Sequence, residues 1–308
     1  MRTRVFGLLT FGFPPYHALE REWRWAEELG FDSAWIPDLW TNRTHLHYET
    51  WALLAVLGRA TSRMRVGTLV STIVSEHPVV LSAQALTVDH VTGGRLEVGI
   101  GAGGRTAEAD LFGTPQLSAD ERGARFDEYV LLLDRLLRGD ATGGTARYPL
   151  ASDTRLVTPL QRPRPPLVVA AETSRSLRVA ARFGDAWCTL GAWAGGGADR
   201  LADASALAAT RSRIAEFDAL CAAAGRDPRS VRRMILSYRR EVDALSSIDA
   251  FDEFVGGYAE LGIEEFVFYW PPLASVRERR EPSLMERETV ERIAAGRFGR
   301  TGAVRSTP

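Results

Sequence analysis

The chain has 308 residues, a net charge of −1, 45% hydrophobic and 25% charged residues, a balance that suits a globular enzyme and offers nucleic acid no basic field. All 38 basic residues are arginine, which excludes a phosphate-loop lysine, a Schiff-base lysine and pyridoxal-phosphate chemistry. Cys188 and Cys221 show neither metal-ligand spacing nor a secreted-type framework, and no stretch has the apolar length of a membrane span, so a cytoplasmic protein is expected.

Taken in order, Val5–Gly12 reads as a strand and Leu19–Leu29 as a helix, with Trp23, Ala26 and Leu29 at helical spacing before Gly30. Ser33–Pro37 is a short strand that stops at Asp38, and Trp51–Ala60 an apolar helix. Val66–Ser71 is the third strand, with Pro78–Val91 as its helix. Leu96–Ile100 is the fourth, followed by the turn Gly101-Ala102-Gly103-Gly104 and the amphipathic run Asp120–Leu137. Gly139 to Pro166 breaks the rhythm with paired glycines and five prolines, which predicts an ordered excursion such as a hairpin.

Leu167–Ala171 and helix Leu177–Phe183 resume the alternation. Strand Ala186–Leu190 leads into a glycine-rich loop, Gly191–Gly197, a candidate lid. Helix Leu207–Ala224, strand Val231–Tyr238, helix Ala250–Leu261, strand Glu265–Trp270 and helix Glu286–Ala295 complete the pattern. The strands are apolar on both faces, as a parallel sheet covered by helices requires. Residues 1–298 are therefore expected to form one α/β domain, a single (β/α)8 TIM barrel with a Pro/Gly-rich insertion between strands four and five. A doubly wound sheet is the structural alternative, and residues 299–308 are expected to be a disordered tail.

In a barrel the chemistry sits at the carboxyl ends of the strands. That nominates Phe11, Asp38, Val70-Ser71, Gly101–Arg105, Glu172–Ser176, Leu190–Trp193, Tyr238-Arg239 and Tyr269-Trp270. A rim this aromatic suits a flat, conjugated ligand. The loops after strands seven and eight contain no glycine, so backbone amides cannot easily converge there. The better anion site joins Gly101, Ala102, Gly103, Gly104 and Arg105 with Glu172, Thr173, Ser174, Arg175 and Ser176, the second turn opening a helix. Each turn also has a plain reading, glycines ending a strand and an ordinary Ser/Thr cap beside a surface arginine.

Asp38 ends an apolar strand and reads either as a general acid or base with a raised pKa or as a helix cap. His45 is a candidate proton relay, with an exposed loop histidine as the alternative. The pair His45 and His47 invites a metal test, but no histidine follows residue 90, so a metal-dependent hydrolase would lack half its ligands, and no metal is expected.

The chain resembles the luciferase-like monooxygenase superfamily. The likeness rests on AEELGFDSAWIPD, WALLAVLGRATSRMRVGTLV, HPVVLSAQALTVDHVTGGRLEVGIGAGG, RFDEYVLLLDRLLRGD, PLQRPRPPLVVAA and RVAARFGDAW in order. The resemblance implies a barrel oxidoreductase using reduced F420, with FMN as the alternative, for hydride transfer to, or monooxygenation of, a small organic substrate. It implies a non-proline cis peptide at Leu69-Val70 or Val70-Ser71 against the ring, and a phosphate near the two turns named above. It also implies a homodimer. Asp38 and His45 are then the catalytic candidates, with Leu69, Val70 and Ser71 against the ring and Phe11, Trp40, Trp193, Tyr238 and Trp270 toward the substrate. Many deazaflavin-dependent members read Asp-His where this chain reads Asp38-Leu39, so a non-catalytic carrier of the same cofactor is the competing expectation.

Overall fold

A computed structural model describes residues 4–13, 15–40, 47–74, 76–103, 110–140, 143–151, 154–191, 203–238, 242–272, 275–276 and 281–298. Eight parallel strands alternate with helices: β1 (Val5–Leu9), β2 (Ser33–Ile36), β3 (Arg65–Thr68, resuming after a bulge as Ser71–Thr72), β4 (Leu96–Gly101), β5 (Leu167–Ala170), β6 (Ala186–Thr189), β7 (Arg232–Leu236) and β8 (Glu265–Tyr269). Their spatial order follows the chain, β1 pairs with β8, and both halves of β3 pair with β4. The sheet closes on itself, a (β/α)8 TIM barrel, and the doubly wound alternative falls away.

The helices are α1 (Tyr16–Leu29), α2 (Thr50–Ala60), α3 (Pro78–Val91), α4 (Ala119–Leu137), α5 (Ser174–Phe183), α6 (Asp203–Ala223), α7 (Ile248–Glu260) and α8 (Leu284–Arg297). Several begin earlier than apolar spacing predicts, because their first turns are polar and fastened by caps. Thr173 and Ser176 close a capping box on α5, and Ser283 and Glu286 close one on α8. Among the described residues no helix is long and apolar enough to cross a membrane.

Alternation along the strands builds two cores. Phe6, Leu8, Val66, Val98, Ile100, Leu167, Val169, Ile235, Phe266 and Phe268 face the helices. Leu9, Trp35, Leu69, Val168, Ala186, Cys188, Met234, Leu236 and Val267 fill the barrel interior. Burying each large side chain contributes roughly 1.5–3 kcal/mol.

At the floor of the barrel, Glu97 accepts from Arg65 and Arg232, and Arg232 also reaches Glu265. The insertion after α4 contains no strand among its described residues, so the expected hairpin is not what orders it. Buried polar anchors do. Asp89 accepts from the Leu160 and Gln161 amides at 2.8 and 3.1 Å, and Arg164 is held by Asp134 and Asp185 at 2.6 and 2.5 Å.

Candidate active site

The break between the halves of β3 shapes one wall of the barrel mouth. The Leu69–Val70 peptide there is cis, at one of the two bonds the resemblance nominates. Beneath it β4 presents no side chain. A Cβ on Gly99 would lie 1.9 Å from the Thr68 carbonyl oxygen, and one on Gly101 2.8 Å from the Val70 side chain. Glycine is required for the two backbones to pass this closely. Leu69 faces the interior and Val70 packs half-buried beside it, so the bulge presents a small aliphatic surface.

Asp38, at the end of β2, is 4% exposed and lies behind this bulge. The Ser71 hydroxyl donates to its Oδ2 at 2.6 Å. Burial pushes the Asp38 carboxyl above the ordinary aspartate value; the Ser71 bond opposes that, and the nearby Glu49 charge adds to it. The Thr50 hydroxyl and the Trp51 indole N–H also bear on the carboxylate and favour its charge, though the indole makes no well-formed hydrogen bond. Burial and the Glu49 charge thus work against ionisation of the carboxyl, while its hydrogen bonds work for it.

The two turns chosen from sequence lie side by side, because Gly101 pairs with Ala170 where β4 and β5 end. Gly103 adopts a φ of +70°. Thr173 caps α5, its side chain accepting from the Ser176 amide, while Thr173 and Ser174 stay exposed. The N-terminus of α5 therefore lies at the rim, a position that favours an anion, with the Glu172, Thr173 and Ser176 amides already bonded to the Ser176 and Thr173 hydroxyls.

Two members of this set are spoken for. Arg175 reaches across to α4 and donates to Asp127 at 2.7 and 3.0 Å, so its charge is already compensated. Glu172 is a clamp rather than a ligand grip. It accepts from the Thr189 hydroxyl at 2.8 Å and the Leu190 amide at 2.5 Å, and it pairs with Arg213 of α6. Burial raises its pKa, opposed by those same partners.

The opposite wall is aromatic. Phe11 stacks on Phe13 at 5.3 Å and 5° and on Tyr269 at 5.7 Å and 17°, and Tyr238 leans on Tyr269 at 6.0 Å. Phe13 also takes the edge of His47 at 4.9 Å. Trp40 meets Phe112 edge-on at 5.6 Å, joining the loops after β2 and β4 with both rings exposed.

Trp270 needs correction as a substrate contact. It is fully buried and points outward, stacked on Trp25 at 5.0 Å with its indole donating to Glu22 at 2.6 Å. Strand alternation explains this: Tyr269, one residue earlier, takes the inward position. Phe13 was not picked out as a site residue, and Tyr269, nominated at the end of strand eight, was not assigned to the substrate wall. The signal for Tyr269 was the period-two register of β8, while nothing local marks Phe13. His45, Gly104, Arg105 and Trp193, and all of the Gly191–Gly197 loop but its first residue, lie outside the described residues.

A closed parallel barrel with polar and aromatic residues at the carboxyl ends of its strands is the (β/α)8 class. Residues 3–246 match the family described as luciferase-like monooxygenase, and the chain belongs to that family. It is 31% identical over 210 residues to an F420-dependent hydroxymycolic acid dehydrogenase of Mycobacterium tuberculosis, covering 66% of this chain and 53% of that protein. It is 30% identical over 160 residues to the oxygenase component of a flavin-dependent trigonelline monooxygenase of Acinetobacter baylyi, covering 50% and 44%. The chain thus aligns with about half the length of these relatives. In fold it is similar to an F420-dependent secondary alcohol dehydrogenase solved with an F420-acetone adduct. The TM-score is 0.75 at 16% identity, over 95% of this chain and 98% of that one. Relatives in the family are F420- and flavin-dependent oxidoreductases and monooxygenases.

Proposed function

We propose that the chain is an oxidoreductase that holds a flavin-type ring against the Leu69–Ser71 bulge, F420 in first place with FMN as the alternative, and acts on a small organic substrate. The observation that carries this is the bulge itself, an aliphatic seat over two glycines where a single Cβ would collide with backbone or Val70. The Gly101–Gly103 turn and the N-terminus of α5 support placing the phosphate end of either cofactor there. F420-dependent relatives support the order of preference.

When bound, the reduced ring supplies the redox chemistry, a hydride or the activation of oxygen. The protein's part is to orient the substrate opposite the bulge, exclude water and manage a proton. Asp38 is the candidate for that proton, with the Ser71 hydroxyl donating to Oδ2 so that the group keeps one orientation. The test is an absorbance titration of the purified chain with F420 and FMN separately. A saturable spectral change with either supports the reading. No change with both defeats it.

A further inference from the structure

The two walls of the mouth differ in kind. The β3 side is small and aliphatic, with Leu69 and Val70. The side formed by the ends of β1, β7 and β8 is a run of four rings, Phe13, Phe11, Tyr269 and Tyr238. Each ring is only half-buried, so the run keeps accessible surface. The first two pairs are close to parallel, at centroid distances that offset stacking produces.

Phe11 packs against two rings, which limits its rotamers and lowers the ordering cost of binding to it. A rigid ring surface cannot wrap a flexible chain as leucine or methionine side chains can. It rewards a planar π-system instead, because aromatic pairs gain free energy beyond the area they bury.

We infer that this ring column selects the substrate, and that it takes a planar aromatic molecule in preference to a flexible aliphatic one of similar hydrophobicity. The inference rests on the mouth being the active site and adds the substrate class. Both Tyr238 and Phe11 were expected at the substrate wall; Phe13 and Tyr269 join them into one surface.

The probes are 2-naphthol and 1-octanol, titrated calorimetrically into the full chain, first alone and then with saturating FMN or F420. The expected result is naphthol binding about tenfold tighter than octanol in both conditions. Phe11→Leu should weaken naphthol about fivefold and leave octanol unchanged. Tyr238→Leu, at the other end of the column, gives the same readout should the first variant not fold.

Equal affinities for the two probes, or parallel losses in the variants, overturn the inference. Displacement of naphthol by cofactor also overturns it, because the column would then be the seat of the ring. Cofactor that fails to bind while the naphthol preference persists supports the column and defeats the proposed redox function instead.

Discussion

Asp38 shows how surroundings alter the chemistry of one carboxyl. The apolar strand carries it into the wall, where it is 4% exposed, and the Ser71 hydroxyl locks Oδ2 at 2.6 Å. Burial raises its pKa, so the neutral acid persists to a higher pH than it would in water. Asp38→Asn keeps the shape and removes the transferable proton. Turnover should fall about a hundredfold, with cofactor affinity changing far less. The wild-type rate should decline as pH rises through the elevated pKa, a limb that the Asn variant lacks. Steady-state rates across pH, beside a cofactor titration, check both. Gly103, at a φ of +70°, makes the matching case for the anion turn. Gly103→Leu strains the backbone and should weaken cofactor binding about tenfold by absorbance titration; unchanged affinity would remove this turn from the site.

The elements around the mouth are held by polar clamps that join residues far apart in the chain. Glu172 ties the end of β5 to that of β6 and to Arg213 on α6, forty-one positions later. Arg213→Ala leaves a largely buried carboxylate short of its cation and should lower stability by about 2 kcal/mol in urea unfolding. Arg175→Ala breaks a half-exposed pair with Asp127 and should change stability by less than about 1 kcal/mol. Because Asp127 already compensates that arginine, the salt dependence of cofactor binding should be the same in the variant, read from titrations at low and high ionic strength. A flattened salt slope would return Arg175 to the phosphate grip.

Across the whole barrel, the proposed site lies at the mouth and a charge layer lies at the floor. Burial pushes Glu265 up to about 7; Arg232 and Arg65 oppose the shift, and the Glu97 charge adds to it. A carboxyl whose folded pKa lies above its unfolded value favours folding in its protonated form. That contribution is complete below the ordinary glutamate pKa and is lost as pH rises through about 7. Glu265→Gln removes the titration while keeping an acceptor for Arg232. The wild-type melting temperature should therefore drop relative to the variant between about pH 5 and about pH 8. Parallel curves would place the titration elsewhere.

The barrel was legible because its signals are local. Periods of two and 3.6, glycine stops and Ser/Thr caps act over a few residues, and repeated eight times they leave one closed architecture. The turn after β4 was legible for the same reason, as was Asp38 closing an apolar strand. Partners were not. Trp270 and Tyr269 are adjacent aromatic residues, and only the closed register of β8 sends one to the mouth and the other to Trp25. Arg175 reads as a free cation until α4 brings Asp127 beside it, and Glu172 as a rim carboxylate until α6 brings Arg213. Covalent neighbours and backbone propensity are written in the order of residues. Which distant side chains share a desolvated space, and so which charges are already balanced, depends on distances that exist only once the chain has closed.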